Sequence, residues 1–314
     1  MKKKNENAYY SFVSTPDTDI RALGVVALKG NIGPAVAVLR AFAAAHPEIK
    51  IYVNDRLRDH AGKGKEHPLK VRSDAFLASK VDALLALGGD GTFLSAARLA
   101  HAKNIPVLGV NLGRVGFLAD VSLENLPTIL EDLLKRRYTL RHRMVLDVEH
   151  SRGRKRMLRD IALNEVAFAG MMGGQMLELD VRASGSFLTT YRVDGLLVST
   201  PTGSTAYALS AGGPIVHPAA NTILLTPMNP ASLSVRPLLL PDSMEIEVRN
   251  VAKAGRPPNL FSDGRARGAL AAGDTVRIGR HPDRLRIIRP QGSSYFDSIR
   301  NKLGWTGNWE AKKR

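Results

Sequence analysis

The sequence predicts an α/β plus all-β protein. It has an N-terminal α/β domain with a parallel sheet, a C-terminal β-sandwich-like domain, and a C-terminal helix returning to the first domain. Three observations carry this. Apolar runs of strand length alternate with helical periodicity as far as Tyr138. Short alternating runs punctuated by glycine, proline and asparagine then continue to Pro290. Finally a helical pattern reappears in "SYFDSIRNKLGW". The limits these changes suggest are 1–138, 139–290 and 291–314.

In the first region, "IRALGVVAL" (Ile20–Leu28) reads as a buried strand. Between Ile32 and Ala45, residues Ile32, Ala35, Val36, Leu39 and Phe42 share one helical face. "IKIYV" and "VDALLAL" are the next strands, and a helix is expected from Thr92 to about Lys103. "IPVLGV" is a fourth strand, running into "NLGRVGFLAD". "LENLPTILEDLLKRRY" reads as a helix with acids early and Lys135, Arg136 and Arg137 late, as its dipole prefers. Strands separated by helices indicate a parallel sheet. Beyond Tyr138, runs such as "MVLDVEH", "LELDVRA", "FLTTYRV", "TILLTP" and "LRIIRP" read as strands of the β-rich domain.

Composition narrows the chemistry. With 314 residues, 44% of them hydrophobic, the chain is long enough for two ordinary domains or one large one and can bury a substantial core. Its apolar runs fall well short of the ~18 residues that suggest a membrane span. "MKKKNENAYY" starts basic and turns polar, so a soluble cytoplasmic protein without a membrane partner is expected. The absence of cysteine excludes disulfides, thiolate metal sites and thiol nucleophiles. There is no H-E-x-x-H, G-x-S-x-G, Walker A or G-x-G-x-x-G pattern. Lysine plus arginine is 45 against 29 acids, a net charge of +16, which suits anionic partners. The densest basic cluster, "SRGRKRMLR", has no interleaved aromatics and reads as a solvated hairpin tip, so nucleic acid is not expected as a partner.

Three motifs carry candidate chemistry. In "ALGGDGTFLSAARLA", glycines and Asp90 lie where a strand ends and a helix begins. Ligands of open α/β sheets bind there, and helix-start N–H groups favour phosphate. An aspartate repels phosphate, so Asp90 reads as a base or a metal-linked group. A tight turn with Asp90 capping the helix is the competing reading. "YRVDGLLVSTPTGSTAYALSAGGPIVHP" places six hydroxyl side chains between Ser199 and Tyr207. These suit a polar, neutral ligand edge such as adenine and ribose. Tyr207 there reads either as a base-stacking residue or as a half-buried core tyrosine. In "ALNEVAF", Asn164 and Glu165 interrupt a strand-like run, as site residues often do. "NLGRVGFLAD" reads either as a plain loop or as lining for the pocket that Asp90 faces.

Together, "GGDGTFL", "NLGRVGFLAD", "ALNEV", "DGLLVSTPTGSTAYALSAGGPIV", "LTPMNPASLSVRPL" and "YFDSIRNKLGW" resemble the NAD kinase family, in family order from about residue 20 to 305. The resemblance implies transfer of the γ-phosphoryl of ATP to the 2′-hydroxyl of the adenosine ribose of NAD, giving NADP. It also implies a site between the two domains, a divalent cation such as Mg2+, and a homodimer or homotetramer. Carried over by position, Asp90 is the general base, with Gly91 beside it. Asn164, Glu165 and Asp194 contact the dinucleotide. Thr205, Ala206, Tyr207, Ala208, Leu209 and Ser210 surround base and ribose. Gln175, Arg192, Asn229 and Arg265 fall at further ligand positions, although many relatives carry Arg or His at the first and Gln at the last. A cation at Arg192 goes with preference for NAD over NADH. Inorganic polyphosphate stays open as a donor. The rival readings are a lipid kinase of related fold, which calls for an apolar acyl groove, and a non-catalytic dinucleotide sensor.

Overall fold

The computed structural model describes residues 12–28, 31–61, 68–113, 116–170, 176–252 and 257–305. The chain forms two units. One comprises residues 1–142 together with 285–314, and the other comprises 143–284.

The first unit is built on a mostly parallel sheet. Its strands lie in the order Val13–Ser14, Tyr138–Arg143, Leu285–Pro290, Val107–Asn111, Ala83–Leu87, Ala22–Ala27, Lys50–Val53, Leu69–Val71, with Val121–Ser122 beside Val107–Asn111. Ala83–Leu87 and Val107–Asn111 are buried along their whole length, which is why they read as continuous apolar runs rather than alternating ones. Helix Gly33–Ala45 buries Ala35, Val36, Leu39 and Phe42 as its spacing predicts. Pro34 occupies its first turn, where a missing N–H costs nothing.

Several details depart from the sequence reading. The short strand Leu69–Val71 and helix Asp74–Lys80 carry too few periodic positions to stand out. The helix expected over 123–138 is α-helical only from Leu126 to Leu134. Arg136 adopts a left-handed φ of 53°, which ends it. Lys135 and Arg137 therefore sit beyond the last turn, where they pair with Glu131 and Asp132. Leu285–Pro290, assigned by its alternation to the β-rich region, instead joins the parallel sheet, with Ile287 opposite Val107. The unit boundaries consequently fall at 142/143 and 284/285 rather than 138/139 and 290/291.

The strand order positions a site. From Ala22–Ala27 the chain steps outward through Lys50–Val53 and Leu69–Val71, but Ala83–Leu87 lies on the opposite side of Ala22–Ala27. Strand order therefore reverses between these two neighbours, and the crevice beyond their carboxyl ends is where such sheets bind ligands. "GGDGT" follows Leu87 directly.

The second unit contains two six-stranded antiparallel sheets among the described residues. Their inner faces supply one core, with Leu146, Leu179 and Val276 from one sheet and Phe168, Val198 and Leu225 from the other. Leu177–Ala183 shows the expected alternation of burial.

Candidate functional site

Helix Asp90–His101 begins three residues after strand Ala83–Leu87 ends. Gly88 makes the turn with φ of 144°, a conformation open to glycine. Gly89 is the N-cap, so Asp90 is the first helical residue. Its carboxylate accepts from the "NLGRVGFLAD" loop. Oδ2 receives the Phe117 amide at 3.0 Å, and Oδ1 receives the Leu118 and Ala119 amides at 3.1 Å each. The loop thus lines the pocket with Asp90 rather than being a plain loop, and Asp90 is the first helical residue rather than the cap. Gly116 makes the arrangement possible, because a Cβ there would lie 1.8 Å from Asp90 Oδ1.

Behind the loop sits a buried cation that the motif reading missed. Arg289, from the strand Leu285–Pro290 between Tyr138–Arg143 and Val107–Asn111, pairs with Asp120 and donates to the Phe117 carbonyl at 3.2 Å. Burial pulls its guanidinium down to about 10, opposed by the charge of Asp90, so it stays charged at neutral pH. Asp90, Phe117, Asp120 and residues of the tail helix Tyr295–Leu303 line a cavity of about 860 Å3. A second hollow of about 340 Å3 is lined by Leu28, Arg56, Gly89, Gly91 and Thr92. It lies at the reversal of strand order, and nothing within 4 Å would meet a Cβ at Gly89 or Gly91.

In the second unit, the break at Asn164 and Glu165 is a clamped turn. Asp263 accepts the amides of Leu163 at 3.0 Å, Asn164 at 2.7 Å and Glu165 at 3.3 Å. From the other side, Thr200 donates its hydroxyl to the Leu163 carbonyl at 2.6 Å and its amide to the Asn164 carbonyl at 2.9 Å. Asp263 lies in a hairpin turn at φ of 47°, where the sequence looks like ordinary turn chemistry. The Glu165 carboxyl is 8% exposed and accepts from the Tyr207 amide. Burial first, and the nearby charge of Asp263 second, push it up to about 7.

Three of the hydroxyl-rich residues, Thr200, Ser204 and Thr205, are structural in part. Ser204 accepts the Val216 amide at 2.9 Å, and Thr205 donates to the Thr202 carbonyl at 3.2 Å. The short helix Tyr207–Ser210 has Ala206 as its N-cap and no side-chain cap. Ala208 is buried and Leu209 partly so, whereas Ser210 is exposed. Tyr207 is 45% exposed and belongs to neither hydrophobic cluster of this unit. Asn229 donates to Asp194 at 3.0 Å and holds a left-handed φ of 44°. Arg192 is exposed and pairs with Glu178 at 3.5 Å. Arg265 is exposed on the strand following Asp263. Gln175 lies outside the described residues.

Comparison with known proteins covers the regions that hold these two clusters. A family model described as the ATP-NAD kinase N-terminal domain matches residues 43–138, and one described as the ATP-NAD kinase C-terminal domain matches 163–290. A relative from Azoarcus sp. (strain BH72), named NAD kinase, is 42% identical over 233 residues, covering 73% of this chain and 78% of the relative. One of the same name from Aromatoleum aromaticum is 42% identical over 230 residues, covering 73% and 76%. Among solved structures, yeast NADH kinase complexed with NADH superposes with a TM-score of 0.84 at 25% identity, covering 93% of this chain and 89% of that one. An Archaeoglobus fulgidus NAD kinase in complex with ATP gives 0.68 at 23% identity, covering 91% and 100%, and supports the fold.

Proposed function

The chain belongs to the NAD kinase family, and from that premise we propose how its residues carry out phosphotransfer to NAD. The reaction is that of a phosphotransferase, in which the γ-phosphoryl of ATP passes to the adenosine-ribose 2′-hydroxyl of NAD and gives NADP. In our reading Asp90 accepts the hydroxyl proton. A ribose hydroxyl is a poor nucleophile at neutral pH, and a positioned base contributes about 10²–10⁴-fold. Three amides already occupy both lone-pair positions of Oδ1 and one of Oδ2. A carboxylate has about four such positions, so Oδ2 keeps one for the substrate proton. As the 2′-oxygen bonds to the γ-phosphorus, the bond to the β–γ bridging oxygen breaks and its electron pair leaves with ADP. The observation that carries this is the Asp90 carboxylate, held rigidly at the mouth of a cavity where a glycine turn starts a helix.

The dinucleotide side of the proposal rests on Asn164, Glu165, Asp194, Tyr207 and Asn229, with Tyr207 stacking on a base. The exposed guanidinium of Arg192 supports NAD rather than NADH as acceptor. A divalent cation, Mg2+ in our reading, belongs to the proposal as a companion of the donor phosphates. Among the described residues no three His, Cys, Asp or Glu side chains gather into a metal site, which fits a cation held largely by phosphate oxygens. Such an ion neutralises phosphate charge when bound. The polar "STPTGSTAY" segment gives no support to a lipid substrate, and no described helix is long and apolar enough to cross a membrane. A homodimer or homotetramer, and a cytoplasmic setting, complete the proposal.

A coupled NADP assay with ATP, then with polyphosphate, and with NAD against NADH, tests the reading. Asp90→Asn should fold and bind NAD but lose about 10²–10⁴-fold in kcat. Near-normal turnover by that variant would remove Asp90 from the role of base.

A further inference from the structure

We propose that Lys302, on the carboxy-terminal helix, is the cation that binds the terminal phosphates of the donor nucleotide beside Asp90. The inference rests on the kinase reading above and adds the tail helix to the site.

The geometry starts from the helix Tyr295–Leu303, which is anchored by its buried residue Ile299. Lys302 follows three residues later, on the same face. That face borders the 860 Å3 cavity that also contains Asp90. The Lys302 ammonium stands 5.2 Å from the ring centroid of Phe117. Phe117 in turn donates its amide to Asp90 and lends its carbonyl to Arg289. One residue therefore bears the base on its main chain and the cation on its ring.

Besides Asp90, the carboxylates around the cavity already have cation partners. Of the other carboxylates in its lining, Asp120 is paired with Arg289 and Asp297 with Arg300. Burial lowers the affinity of Lys302 for its proton and so does the neighbouring Arg289, while Asp90 opposes both. An ammonium in a partly desolvated wall is stabilised when an anion joins it. A polyphosphate chain is such an anion, and lysine is a common point-charge ligand for phosphate. Its place beside Asp90 is where negative charge passes from the γ-phosphoryl to the departing ADP, while the hydroxyl proton goes to Asp90. The competing explanation is that the lysine stem only packs on Phe117.

Lys302→Met separates the two, because it keeps an apolar stem and removes the charge. The expected result is a rise of about 10- to 100-fold in KM for ATP, with KM for NAD and the unfolding midpoint little changed. Lys302→Arg should retain most ATP affinity. Binding of ATP and AMP, measured calorimetrically without NAD, should show that the preference for ATP shrinks in the methionine variant. The proposal is overturned if Lys302→Met leaves that preference intact, or raises both KM values equally. Should Lys302→Met not fold, Lys302→Gln compared with Lys302→Arg decides the same question by the same binding ratio. A wild-type protein that forms no NADP would sink the kinase reading, whereas the ATP-to-AMP ratio would still judge Lys302.

Discussion

Asp90 is held by what is missing opposite it. Any side chain at Gly116 would overlap its carboxylate, so Gly116→Ala must displace either the loop or Asp90. The expected outcome is a loss of kcat of about 10²-fold or more, since misplacement by about 1 Å costs that much, with a folded circular dichroism spectrum. Normal turnover would show that the observed Asp90 conformation is not the working one. Glu165 gives a second test, in pH. Its folded value of about 7 lies above the ordinary 4.5. Between those values the unfolded chain has released the proton and the folded chain keeps it, so stability falls as pH rises through that window and levels off above it. Glu165→Gln should flatten this fall, which amounts to roughly 3 kcal/mol at most. Chemical denaturation of both proteins from pH 4 to 8 checks it, and parallel curves would refute a buried, proton-holding Glu165.

At the scale of elements, the last strand of the parallel sheet matters most. Leu285–Pro290 brings Arg289 under the Phe117–Ala119 loop. Removing one partner of a buried ion pair leaves a stranded charge, so Arg289→Met should cost about 3–5 kcal/mol. Adding Asp120→Asn should restore part of that stability in urea titrations, and strictly additive losses would argue against the pair. This strand also shows where the sequence runs out of information. "LRIIRP" alternates like its neighbours in the β-rich region, and nothing local says that it crosses to another sheet. By contrast "VDALLAL" and "IPVLGV" are legible as central parallel strands, because burial on both faces leaves them uniformly apolar. Asp90 and the Asn164–Glu165 break stand out because polar residues interrupt such runs. Asp263, Arg289 and Lys302 do not. Each looks like ordinary turn, edge or surface chemistry until the fold brings it to a distant main chain or cavity.

For the whole molecule, the division into units is legible as a change of periodicity near Tyr138 and the return as the helical pattern of the tail, while the start of that return at Leu285 is not. The first unit encloses the second in sequence, since residues 1–142 and 285–314 belong together. Proteins are synthesised from the amino terminus, and domains generally fold as units in the order they emerge. Here that order is broken. The segment 143–284 can complete both its sheets while the preceding unit still lacks a strand. Arg289 and the tail helix emerge after the whole of 143–284, so the surroundings of Asp90 are finished only once the second unit has been made. A nascent or prematurely terminated chain would therefore carry the glycine turn and its aspartate without the framework that aims them, and the cell would be spared a partly built phosphotransferase.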